Sequence, residues 1–149
     1  MGGELRRSDI CMPLRILIAD DDPTIRLLFR RLLEAHRDWE VCAEAVNGLE
    51  AIKQVAQASP DLVILDFGMP LMNGLEAARK ISRFNPSLPM LLISVQEVSD
   101  QLVSEARRAG FRGAITKSRG CEVVKGVEAL LENKAFFQLD DWGLDLQKG

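Results

Sequence analysis

The sequence is poor in the residues that most metal and acid–base sites use. Its single histidine, His36, removes histidine-based proton transfer and most histidine–metal schemes from consideration. His36 itself is expected at a helix end on the surface. The three cysteines, Cys11, Cys42 and Cys121, are odd in number and lack metal-ligand spacing, which fits a reducing compartment rather than a disulfide framework. Neither sign of charge dominates: 19 Lys and Arg stand against 22 Asp and Glu, for a net charge of −3. Without a basic stripe, direct nucleic-acid binding is not expected. No apolar run approaches the ~18 residues needed to span a bilayer. The start, Met1 to Asp9, lacks the apolar region of a signal peptide. A cytoplasmic protein without membrane association is therefore the expectation.

What is present is an ordinary globular mixture, 47% hydrophobic and 28% charged over 149 residues, enough for one domain with a substantial core. Residues 1–13 read as a flexible leader closed by Pro13. Leu14 to Ala19 is then a strand that ends in Asp20-Asp21-Asp22, with Asp22 as helix N-cap and Pro23 at the first helical position. Ile25, Leu28, Phe29, Leu32 and Leu33 repeat at helical spacing. A second strand near Val41–Ala45 leads through Asn47-Gly48 to a helix carrying Ile52, Val55 and Ala56. The third strand, Leu62-Val63-Ile64-Leu65-Asp66, is apolar without alternation, as a strand covered on both faces must be. After Phe67-Gly68-Met69-Pro70 and Asn73-Gly74 comes a third helix with Leu75, Ala78 and Ile81. Gly74 reads as a backbone requirement, and Met69 and Met72 as packing. Met90 to Ser94 is a fourth strand, and a fourth helix with Val98, Leu102 and Ala106 on one side stops at Gly110. Gly113 to Thr116 is a short fifth strand delivering Lys117, and Val123, Val124, Val127, Leu130 and Leu131 mark a fifth helix. Residues 134–149 show no clear period.

Five strands alternating with five helices imply an α/β, three-layer (βα)5 domain with a parallel five-stranded sheet of flavodoxin-like order 2-1-3-4-5. Ligands of such sheets bind outside the carboxyl ends of the strands, at the switch point between strands 1 and 3. Those strands end in Asp20-Asp21 and Asp66, and strands 4 and 5 bring Ser94 and Lys117 to the same rim. Three carboxylates held together repel unless a cation sits among them. Mg²⁺ takes oxygen ligands, keeps several waters and uses one or two carboxylates plus phosphate oxygens. The set suits phosphoryl transfer onto a carboxylate, with Asp66 as acceptor, Asp20 and Asp21 holding the metal, and Lys117 and Ser94 meeting the phosphoryl oxygens.

On Ile18-Ala19-Asp20-Asp21-Asp22-Pro23, Leu65-Asp66-Phe67-Gly68-Met69-Pro70 with Asn73-Gly74, Ser94 and Lys117, the chain resembles a bacterial two-component response-regulator receiver domain, over about residues 14–132. It is similar in particular to receivers that precede helix-turn-helix outputs. The resemblance implies that Asp66 is the phosphoacceptor and that Asp20, Asp21, Asp66 and the Gly68 carbonyl bind Mg²⁺. It also makes Ser94 the switch hydroxyl and Lys117 the phosphate partner. Implied partners are a sensor histidine kinase or phosphotransfer protein, a downstream protein or fused output domain absent from this chain, and a homodimer through the fourth helix, fifth strand and fifth helix. The implied organisation is leader 1–13, receiver domain 14–133 and C-terminal tail 134–149, the tail being too short for an output domain. Gly68 and Gln96 are expected to influence phosphoryl lifetime.

Three positions depart from the family pattern. Ala114 stands where an aromatic is usual, Ser118 follows the lysine in place of Pro, and Val95 is bulkier than the usual small residue and is expected to narrow the site. Signalling is thus expected to use loop and fourth-helix movement rather than ring rotation. Two alternatives remain beside this reading. One is a receiver-like binding module independent of phosphorylation, suggested by Ala114 and Val95. The other is a haloacid-dehalogenase-like phosphatase, with Asp20 as nucleophile and Asp22 as acid in Asp20-Asp21-Asp22-Pro23-Thr24. The latter leaves the Asp66 strand unexplained and offers only Asp140-Asp141 as a late acidic pair.

Overall fold

The computed structural model describes residues 12–138. Strands β1 (Leu14–Ala19), β2 (Trp39–Ala45), β3 (Leu62–Asp66), β4 (Met90–Ser94) and β5 (Gly113–Thr116) alternate with helices α1 (Pro23–Glu34), α2 (Gly48–Ala58), α3 (Gly74–Phe84), α4 (Asp100–Ala109) and α5 (Val123–Leu131). A 3₁₀ stretch over Lys117–Glu122 separates β5 from α5. The sheet is parallel throughout, in the order β2-β1-β3-β4-β5-β6. The 2-1-3-4-5 order is as expected. The five-strand count is corrected to six by β6 (Phe136–Phe137), which lies along the free edge of β5. Part of the expected tail therefore belongs to the sheet, whereas Trp142 and residues 1–11 lie outside the described residues.

Side-chain alternation divides the core. Leu17, Val63, Leu65 and Leu92 face one way and are covered by Val55, Ile81 and Ala106 of α2, α3 and α4. Ile16, Ile18, Ile64 and Ile93 face the other way, under Phe29 and Leu33 of α1 and Val127 and Leu130 of α5. β3 and β4 are buried at every position, which is why their sequences lack polar alternation.

The helix starts follow local chemistry. The Asp22 side chain accepts the Thr24 N–H ahead of Pro23, and Asn73 with Glu76 forms a reciprocal capping box. Ser99 caps α4, so Val98 is buried in the preceding loop rather than on the helix. Gly110 closes α4 at φ 108°, where other residues are strained. His36 is not a plain surface residue: it is half-buried and stacks on Trp39, with ring centroids 3.9 Å apart. Trp39 opens β2 two residues earlier than its apolar pattern suggests because it pairs with Leu14.

Candidate functional site

The carboxyl ends of β1, β3 and β5 converge on one acidic hollow. Asp20 follows β1 directly and is fully buried, Asp66 ends β3 and is 3% exposed, and Asp21 stands exposed beside them. One oxygen from each lies within 4.8 Å of the other two. Lys117 enters from the end of β5, its Nζ 2.9 Å from Asp20 Oδ2 and 3.3 Å from Asp66 Oδ1. Asp20 Oδ1 accepts the Asp22 N–H at 2.8 Å, and Asp66 Oδ1 accepts a long 3.4 Å contact from the Gly68 N–H.

Burial pushes the Asp66 carboxyl above its ordinary range, and the Asp20 charge pushes the same way; Lys117 offsets only part of this. Burial works against the Lys117 ammonium too, but hydrogen bonding and charge from Asp20 and Asp66 outweigh it and hold its pKa above the usual lysine value. Lys117 thus stays charged at any physiological pH. Asp20 Oδ2 is buried with no properly directed hydrogen bond among the described residues, and the ammonium is its charge partner. Three carboxylates against one ammonium leave an excess of two negative charges when all are ionised. Clustered carboxylate oxygens whose charge one ammonium only partly balances form an all-oxygen donor set of the chemistry a hard divalent cation fits.

Local packing holds this rim open. A Cβ at Gly74 would lie 2.3 Å from the Asp66 carbonyl oxygen, so only glycine lets the start of α3 sit against the end of β3. Gly48 is similar, its ideal Cβ falling 2.3 Å from the Met72 carbonyl oxygen. At Gly68 the same test meets nothing within 4 Å, so the hollow opens to solvent there.

Ser94 is fully buried at the end of β4, and its Oγ accepts the Gln96 N–H at 3.0 Å. Val95 is 77% exposed and stands on the rim rather than in the floor. Ser118 is exposed, with its hydroxyl 2.6 Å from that of Thr116. Asp22 is also exposed and occupied as a cap, a poor placement for the acid of the phosphatase alternative. Asp140 and Asp141 lie outside the described residues. Ala114 is fully buried, and its register partner on β6 is Phe137. Phe137 packs against the same core cluster and carries the Arg107 guanidinium 4.4 Å above its ring. Sequence reasoning missed this neighbour because a two-residue strand has no readable period.

Solved structures share the fold. A crystal structure of a LuxR-family two-component response regulator from Aurantimonas superposes with a TM-score of 0.79 at 31% identity, covering 83% of this chain and 89% of that one. The response-regulator domain of Thermotoga maritima CheB gives a TM-score of 0.69 at 29% identity, covering 81% and 92%. Among curated relatives, a putative transcriptional regulator of Pseudomonas aeruginosa is 34% identical over 125 residues, 83% of this chain and 59% of the relative. A protein-glutamate methylesterase/protein-glutamine glutaminase of Nitrobacter hamburgensis is 47% identical over 58 residues, 39% of this chain but only 15% of the relative. The chain thus spans a small part of such methylesterases and about three-fifths of the regulator. Residues 16–128 match the family model described as the response regulator receiver domain, and with the acidic hollow lying at the strand ends of that matched region, the chain belongs to the response-regulator receiver family.

Proposed function

We propose that this chain is a phosphorylatable switch in two-component signalling, with Asp66 as phosphoacceptor, and that it acts as a signalling acceptor rather than an enzyme. The observation that carries the reading is the convergence of Asp20, Asp21, Asp66 and Lys117 at the ends of three strands separated in sequence. In the proposed reaction an ionised Asp66 oxygen attacks the phosphorus of a phosphohistidine on a sensor kinase or phosphotransfer protein. An acyl-phosphate P–O bond forms, the P–N bond breaks, and its electron pair returns to the imidazole, which takes a proton from solvent. We place this exchange in the cytoplasm.

Asp20, Asp21, Asp66 and the Gly68 carbonyl are the proposed ligands of Mg²⁺. When bound, it neutralises charge on the acidic cluster and on the transferring phosphoryl group. Asp20 and Asp21 orient the hollow, Lys117 meets one phosphoryl oxygen, and the Ser94 hydroxyl, rotated from Gln96, donates to another. The output is a protein contact, made to a downstream protein, to an output domain outside this chain, or to a second copy through the α4 and α5 side of the domain, where β6 covers the outer edge of β5. Intact mass after incubation with acetyl phosphate and Mg²⁺ tests the reading. One phosphoryl group is expected on the wild type, less on Asp20→Asn, and none on Asp66→Asn. An adduct that persists in Asp66→Asn and disappears in Asp20→Asn would favour the phosphatase chemistry, and no adduct in any protein would leave a phosphorylation-independent binding module.

A further inference from the structure

Strand β5 ends in an amide that main-chain pairing hands to a side chain. Beyond α5 the chain turns through Asn133, at φ 61°, and runs along the outer edge of β5. There the Phe136 N–H donates to Arg112 O at 3.0 Å and the Gln138 N–H to Ala114 O at 2.9 Å. The Thr116 N–H is the next donor on this edge. It donates to Gln138 Oε1 at 2.9 Å, so a side-chain amide stands in for the carbonyl of a longer strand. The other end of the same amide, Nε2, donates to Glu122 Oε1 at 2.8 Å. Gln138 is 7% exposed, and this hydrogen bond keeps the Glu122 carboxyl below its ordinary range, hence ionised and a strong acceptor. Thr116 immediately precedes, and Glu122 ends, the 3₁₀ stretch whose first residue is Lys117. A single buried side chain therefore ties down both ends of the segment that presents the ammonium to Asp20 and Asp66.

We propose that Gln138 is a positioning residue for Lys117: bridging Thr116 and Glu122 through its amide, it fixes where β5 stops and so where the Lys117 Nζ is held. The functional consequence rests on the phosphoacceptor reading above. Gln138 touches none of the reacting atoms, so its removal changes phosphoryl-mimic binding without weakening the metal ligands.

The test compares wild type, Gln138→Ala and the double variant Gln138→Glu with Glu122→Gln. In the double variant a carboxylate at 138 accepts from both the Thr116 N–H and the amide at 122, restoring both hydrogen bonds, the first in its original direction and only the second reversed. Three quantities are measured: exchange of the Thr116 amide by ¹⁵N NMR without metal, Mg²⁺ affinity by calorimetry, and affinity for beryllofluoride, an inorganic phosphoryl mimic, at saturating Mg²⁺. For Gln138→Ala, loss of a net hydrogen bond predicts about tenfold faster Thr116 exchange and about three- to tenfold weaker beryllofluoride binding. Mg²⁺ affinity is expected not to fall, and the double variant should recover beryllofluoride binding. Unchanged beryllofluoride binding in Gln138→Ala, equal weakening of Mg²⁺ and beryllofluoride, or no recovery in the double variant would overturn the positioning role. Wild-type protein that binds Mg²⁺ but no beryllofluoride would instead overturn the phosphoacceptor reading, and the positioning role with it.

Discussion

Removing the charge of Asp66 should stabilise the metal-free protein. Asp66 is 3% exposed, and its ionised form meets opposing influences. With an effective dielectric constant of ~20, attraction to Lys117 at 3.3 Å is about 5 kcal/mol, and repulsion from Asp20 at 4.8 Å or less is at least about 3.5 kcal/mol. Exposed Asp21 adds a further, screened repulsion. These contributions largely cancel, which leaves the desolvation of a buried carboxylate, several kcal/mol before relaxation, as the deciding quantity. The long 3.4 Å contact from the Gly68 N–H returns little of it. Asp66→Asn is therefore expected to gain about 1–2 kcal/mol, a rise in melting temperature of about 3–6 °C for a chain of this size.

The pH dependence has a definite sign. The folded-state pKa of Asp66 is raised, so its protonated form is the one folding favours. That stability is fully present below the unfolded value of about 4 and is lost as pH rises through the raised folded value. The advantage of Asp66→Asn should accordingly be absent at acid pH and full at neutral pH. Thermal unfolding followed by circular dichroism in EDTA, from pH 4 to pH 8, measures it. A variant less stable than wild type at pH 7.5, or equally more stable at both extremes, would refute this reasoning.

Lys117→Ala removes the charge partner of buried Asp20, so it should cost about 1–3 kcal/mol in EDTA, and saturating Mg²⁺ should recover more stability than it adds to wild type, as denaturant titrations can show. Gly74→Ala forces a Cβ against the Asp66 backbone and should destabilise by about 2–3 kcal/mol or more, whereas Gly68→Ala, with open space around it, should stay within about 0.5 kcal/mol of wild type while altering the half-life of the phosphorylated form. With Ala114 in place of an aromatic, structures with and without beryllofluoride should differ in the loop over 95–99 and in α4; superimposable α4 and β5 surfaces in the two states would remove that switching route.

Much of this architecture could be read from local pattern. β3 and β4 are short apolar runs closed by Asp66 and Ser94, and burial on both faces leaves no competing reading of them. Asp22-Pro23 and Asn73-Gly74 announce helix starts through their own capping chemistry. Because parallel strands deliver their carboxyl ends to one rim, finding the strands also located Asp20, Asp66 and Lys117. What escaped depends on contacts remote in sequence. Phe136-Phe137 becomes a strand only because β5 offers an open edge, and Trp39 joins β2 only because Leu14 lies opposite. The stacking of His36 on Trp39 and the bridge from Gln138 to Thr116 and Glu122 have no signature in spacing or composition. Such features arise from tertiary placement of individually unremarkable side chains.

The most direct test of the central claim is the position of the acyl phosphate itself. Wild-type protein phosphorylated in Mg²⁺ is treated with borohydride, which reduces an aspartyl phosphate to the corresponding alcohol, and the digested protein is sequenced by tandem mass spectrometry. The account predicts a reduced side chain at position 66 and at no other aspartate. Reduction at Asp20, with Asp66 recovered intact, would contradict it.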